Sequence, residues 1–144
     1  MSPLLRNILA VVAGTGACLL FNGLLLDLLM RVIPPPTGFD PNTPSTYTLL
    51  ETRHFIAPFL AHAVPSLVGG WLAARLAATR PMTFALVVGA LHLLGGIAAA
   101  FMIPAPTWFI ALDLLVAYLP MAWLGIRIGA LLRKGTAGGP GANA

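Results

Sequence analysis

The chain has 144 residues, of which 58% are hydrophobic and only 8% charged. Soluble globular domains carry about 25% charged residues, so a water-exposed globule is excluded. The net charge of +4 comes from eight basic residues spread between apolar runs; they form no basic patch, which argues against a nucleic-acid partner.

The first apolar run predicts a helix over 4–32. Arg6 precedes the run, and Thr15-Gly16-Ala17-Cys18 imitates a lipoprotein cleavage box. The apolar character nevertheless continues from Leu19 to Ile33, far beyond a removable signal, and the segment reads as a retained helix. Cys18, the single cysteine, can form no internal disulfide. Pro34-Pro35-Pro36 stops this helix, because consecutive prolines lack N–H donors and exclude helical geometry upstream. The connection 34–53 is rich in proline and hydroxyl residues and reads as an ordered, turn-rich cap.

Helix 2 is predicted over 54–78. Thr79-Arg80-Pro81 makes a tight turn into helix 3, 82–103, with Pro81 suited to its first turn. Pro104-Ala105-Pro106-Thr107 ends that helix, and Thr107 caps helix 4, 107–132. Each helix exceeds the roughly 20 residues that cross a 30 Å hydrocarbon layer. The prediction is an all-α, integral-membrane four-helix bundle: one domain over 1–134, followed by a disordered tail over 135–144. No internal repeat supports an inverted-repeat transporter.

Basic residues set the orientation. Arg6, Arg75, Arg80, Arg127, Arg133 and Lys134 fall on one side, and Arg31 and Arg53 on the other. Positive residues stay cytoplasmic, so both termini are expected inside. Trp108 fits the outer interface, and Trp71 and Trp123 the inner one.

Ionisable groups inside apolar runs are candidate sites, since a bilayer accepts them only against protein, water or ligand. At 1.5 Å per residue, His62 lies roughly 12 Å below the outer surface, His92 roughly 16 Å, Asp113 roughly 9 Å and Asn22 roughly 15 Å. All four fall in one outer-leaflet layer. They also lie on stripes of small residues that let membrane helices approach closely. The stripes are Ala10, Gly14, Cys18 and Asn22 in helix 1, and His54, Pro58, His62, Pro65, Gly69 and Ala73 in helix 2. Ala85, Gly89, His92, Gly96 and Ala99 mark helix 3, and Asp113, Ala117, Pro120 and Leu124 mark helix 4. Pro65 and Pro120 free carbonyls that bend a helix or line a cavity. Asp27 is expected to pair with Arg31 one turn later, and Glu51 and His54 to be solvated at the loop end.

Several chemistries compete for this layer. A His–Asp pair can simply fasten helices together. A metal site from Glu51, His54, His62 and Asp113 is disfavoured, because His54 and His62 lie two turns apart, roughly 12 Å. A haem held by His62 and His92 is a lesser alternative, with Gly69, Gly89 and Gly96 admitting the macrocycle; no cofactor or metal is the leading expectation. A polar pocket open to the outer face, formed by Asn22, His62, His92 and Asp113, fits the depth pattern best.

The segments Val32-Ile33-Pro34-Pro35-Pro36, His54-Phe55-Ile56-Ala57-Pro58-Phe59-Leu60-Ala61-His62-Ala63 and Pro104-Ala105-Pro106-Thr107-Trp108-Phe109-Ile110-Ala111-Leu112-Asp113 resemble an uncharacterised family of small bacterial inner-membrane proteins. The resemblance covers 4–130. It implies four helices and a bacterial source, and brings no activity or site residue. The expected function is non-enzymatic: binding of a small polar or lipid ligand, or of a partner, within the inner membrane. The alternative is a proton-coupled transporter or membrane enzyme using Asp113 and His62. A homo-oligomer is compatible with the thin, glycine-rich helices.

Overall fold

The computed structural model describes residues 1–137 and has no strand among them. Five helices follow in order: α1 (Pro3–Val32), α2 (Ile56–Leu76), α3 (Pro81–Met102), α4 (Thr107–Val116) and α5 (Leu119–Ala137). Four stretches are long and apolar enough to cross a membrane: Pro3–Val32, Thr52–Leu76, Pro81–Met102 and Thr107–Ala130. The all-α bundle expected from the sequence is therefore present. The expected tail begins at 135, but α5 runs to Ala137; residues 138–144 lie outside the described residues.

Local chemistry sets the helix ends. Ser2 caps α1 by accepting from the Leu5 N–H at 3.3 Å. The last N–H to join α1 is that of Ile33, on the Leu29 carbonyl at 2.8 Å; the prolines follow. Arg80 adopts a left-handed conformation, φ 45°, which turns the chain tightly before Pro81 opens α3. Asn7 of α1 clasps this turn. Its Oδ1 accepts from the Ala78 N–H at 2.8 Å, its Nδ2 donates to Thr79 Oγ1 at 2.9 Å, and the Arg6 Nε–H donates to the Leu76 carbonyl at 2.8 Å. These bonds serve carbonyl and amide groups that the end of α2 leaves open.

Helix α2 is the hub, packing on α1, α3 and α5. Glycine is required where the backbones touch. A Cβ on Gly14 would lie 2.8 Å from the Gly69 carbonyl oxygen, and one on Gly70 would lie 2.8 Å from Ala122 Cα. Such close approach drives helix association in lipid, where burial of apolar surface supplies no force.

The last span differs from the single helix predicted over 107–132. It breaks at Ala117–Tyr118. Pro120 has no N–H to offer the Val116 carbonyl four residues back, and its ring crowds that carbonyl; α4 ends at Val116. The break changes the helical phase. Asp113 and Ala117 face inward as expected, but the inward set then becomes Tyr118, Ala122, Gly125 and Gly129, while Pro120 and Leu124 are exposed. This is a slip of one residue, about 100°.

The long connection is ordered around two short 3₁₀ turns, Pro44–Leu49 and Thr52–Phe55. The Asp40 carboxylate accepts from the Asn42 N–H at 2.9 Å and from the Thr43 hydroxyl at 2.8 Å. Those bonds, the Asn42 amide first, hold its pKa below the ordinary value. Phe39 meets Tyr47 edge-on, with centroids 5.1 Å apart. The loop thereby presents apolar side chains to the bundle.

Candidate functional site

A cavity of about 320 Å³ lies in the loop half of the bundle, at the small end of ligand-pocket volumes. Leu26, Met30, Pro58, Ile103, Phe109 and Leu114 form much of its wall, and Phe39, Tyr47 and Leu50 of the connection line its outer part. On α3 the lining includes the small residues Ala99 and Ala100, where larger side chains would fill the space. The expectation of a polar pocket is corrected: the walls are mostly apolar, with His62 and Asp113 at the floor and His54 and Tyr47 as the further polar members; the Tyr47 hydroxyl donates to the Pro41 carbonyl at 3.1 Å.

Asp113 of α4 and His62 of α2 meet as the sequence predicted. His62 Nδ1 lies 2.9 Å from both carboxylate oxygens of Asp113. Tyr118 donates its hydroxyl to Asp113 Oδ2 at 2.8 Å and stacks on the His62 ring, with centroids 5.5 Å apart and planes at 28°. An ionised Asp113 only accepts, which places the imidazole hydrogen on Nδ1. Nε2 is then left with its lone pair. Both line the cavity, but Asp113 exposes 6% of its side chain and His62 22%, so the histidine is the more accessible member. An oriented imidazole with one free nitrogen can accept a hydrogen bond or a proton, or ligate a metal.

His92 belongs to a separate cluster beneath. Its Nδ1 lies 2.8 Å from Ser66 Oγ and 3.0 Å from Cys18 Sγ. The Ser66 hydroxyl donates to the His62 carbonyl at 2.7 Å; its oxygen is therefore free to accept from His92 Nδ1–H. The His62 and His92 rings stand edge-on, 6.0 Å between centroids. His92 does not line the cavity, and neither does Asn22. Asn22 instead donates from Nδ2 to the Ala61 carbonyl at 2.7 Å. Pro65 leaves that carbonyl without its helical partner, and α1 supplies the missing donor.

At the loop end, Glu51 is exposed and pairs with Arg53 at 3.1 Å. His54 is corrected: it is 7% exposed, not solvated. It closes a reciprocal cap in which the Glu51 N–H donates to His54 Nδ1 at 2.9 Å and the Glu51 carboxylate takes the His54 N–H. Asp27 and Arg31 pair at 2.8 Å on the exposed face of α1, as predicted.

The haem alternative needs a slot between the histidines. Gly96 is filled by Tyr118, Gly89 by Ala122 and Gly69 by Gly14 and Cys18. The residues do not fit a macrocycle at this position. Among the described residues, no three of His, Cys, Asp and Glu converge as a metal set.

Tyr118 and Ser66 are the members of this region that sequence reasoning missed. Ser66 stands one turn after His62 on the same stripe, which is a usable signal. Tyr118 stands five residues after Asp113, about 140° away on an unbroken helix; only the break caused by Pro120 brings its hydroxyl back to Asp113.

No family model, curated protein or solved structure matches this chain.

Proposed function

We propose that this chain is a membrane-embedded binding protein whose capped cavity takes one lipophilic molecule, with the molecule's polar end at His62. The carrying observation is the contrast between an apolar chamber and a single oriented, partly exposed histidine facing it, backed by Asp113 at 2.9 Å. Ligand sites commonly combine mostly apolar walls with a few placed polar groups. The reading sets the chain in a bacterial inner membrane with both termini cytoplasmic, supported by the basic-residue asymmetry and by the sequence resemblance. The cavity then opens toward the periplasmic leaflet.

A second reading has His62 and Asp113 move a proton, as an acid–base pair of a membrane enzyme. The free Nε2 favours it. Transport across the bundle is less well supported, because the helices close below the cavity, Gly14 on Gly69 and Gly70 on Ala122.

The test is to purify the protein in mild detergent and identify small molecules released on denaturation. A lipophilic compound at about one per chain is expected in the wild type. Ala100→Leu, which fills the cavity, should lose it while keeping the fold. A wild-type chain that carries nothing specific and binds no added lipophile would refute the proposal.

A further inference from the structure

We infer that the cavity selects an uncharged lipophile bearing a hydroxyl group, and rejects anionic lipid heads such as carboxylates and phosphates. The inference rests on the binding reading above and names the ligand class for that site.

The first observation is charge. Of the residues lining the cavity, none is Lys or Arg. Arg31 and Arg53 at the same end of the bundle are exposed and already paired, with Asp27 and Glu51 respectively. At the floor the Asp113 carboxylate lies against the His62 ring at 2.9 Å, so any positive charge on the imidazole is already paired. His54 also lines the cavity, but its Nδ1 accepts the Glu51 N–H at 2.9 Å and so carries no hydrogen; His92 is turned by Nδ1 toward Ser66 and Cys18, and Tyr118 is committed to Asp113 as donor. An anionic head would therefore add a second negative charge in an apolar chamber with no cation to compensate it. Burial of an unpaired ion is strongly unfavourable.

The second observation is hydrogen-bond sense. With its Nδ1 hydrogen spent on Asp113, neutral His62 offers Nε2 as an acceptor. Protonated, it offers Nε2–H as a donor. A hydroxyl serves both forms, because it donates and accepts. An ether or ketone serves only the protonated form. A hydrocarbon serves neither.

The experiment is a native mass-spectrometric titration of the full-length protein, released from maltoside micelles, with four probes of one chain length. The probes are 1-dodecanol, dodecyl methyl ether, dodecane, and dodecanoate at pH 8. Dodecanol is expected to bind as a single adduct, about tenfold or more tighter than dodecanoate and dodecane, with the ether weaker than the alcohol. His62→Ala should bring alcohol and ether to equal affinity. Equal or tighter binding of dodecanoate would overturn charge selection. Equal binding of alcohol, ether and alkane by the wild type would overturn hydroxyl recognition while leaving a lipophile pocket standing. Saturable binding of none of the four would sink the pocket itself. The wild-type series decides these outcomes even if His62→Ala fails to fold.

Discussion

The contact between Asn22 and the Ala61 carbonyl makes a quantitative prediction about how a proline is tolerated in the central helix. Pro65 leaves the Ala61 carbonyl unserved within α2, and Asn22 Nδ2 reaches it at 2.7 Å. Ala61 is fully buried, so no lipid or water group can replace the donor. An unsatisfied buried polar group costs about 1–3 kcal/mol, while hydrogen bonds between membrane helices measure roughly 0.6 kcal/mol on average and about 1.7 at most. Asn22→Leu should therefore destabilise by about 1–2 kcal/mol. Pro65→Ala restores an N–H that can serve Ala61 from within α2. In that background Asn22→Leu should cost less than about 0.5 kcal/mol, a coupling of roughly 1 kcal/mol. Reversible unfolding in bicelles, followed by tryptophan fluorescence, measures all four corners of this cycle. An Asn22→Leu penalty that is the same in the wild type and in the Pro65→Ala background would refute the reasoning.

Three further predictions concern packing, the polar floor and the cap. Gly70→Ala places a methyl 2.8 Å from Ala122 Cα and 2.9 Å from its carbonyl oxygen; since backbone must move, a loss of about 1–3 kcal/mol is expected in the same unfolding assay. Tyr118→Phe removes one donor from Asp113 and should cost about 1 kcal/mol, whereas Asp113→Ala strands both the Tyr118 hydroxyl and His62 Nδ1 and should cost at least twice that; similar penalties for the two would contradict the assigned network. Asp40→Asn should speed amide exchange at Asn42 and Thr43 without moving the global melting point. Because the folded pKa of Asp40 is depressed, its ordering of the loop is complete above the ordinary value of 3.8 and is lost as pH falls through the lower folded value; exchange at neutral pH that is indifferent to Asp40→Asn would contradict it.

The helices are legible in the sequence because apolar runs bounded by proline leave little choice in a bilayer, and the bounds of α1 and α3 fall within a residue of those predicted. The meeting of His62 with Asp113 is also legible, since depth and helical phase agree for both. What escapes prediction depends on backbone irregularity. Pro120 reads as a source of bending, yet its consequence, a one-residue slip that turns Tyr118 and Ala122 inward, needs the geometry of the break itself. The division of the polar layer is hidden for a related reason. Asn22, His92 and the His62–Asp113 pair share a depth, but their rotational positions send Asn22 to a carbonyl freed by Pro65 and His92 to Ser66. The apolar chamber is invisible as such: small residues on α3 read equally well as close packing, whereas Ala99 and Ala100 line the cavity.

If the space above His62 holds a lipophilic molecule, a high-resolution map of the protein in lipid nanodiscs will show elongated density between Phe39 and His62, ending within hydrogen-bond distance of His62 Nε2. A chamber collapsed by side chains, or one filled by a chain of water reaching Asp113, would contradict it.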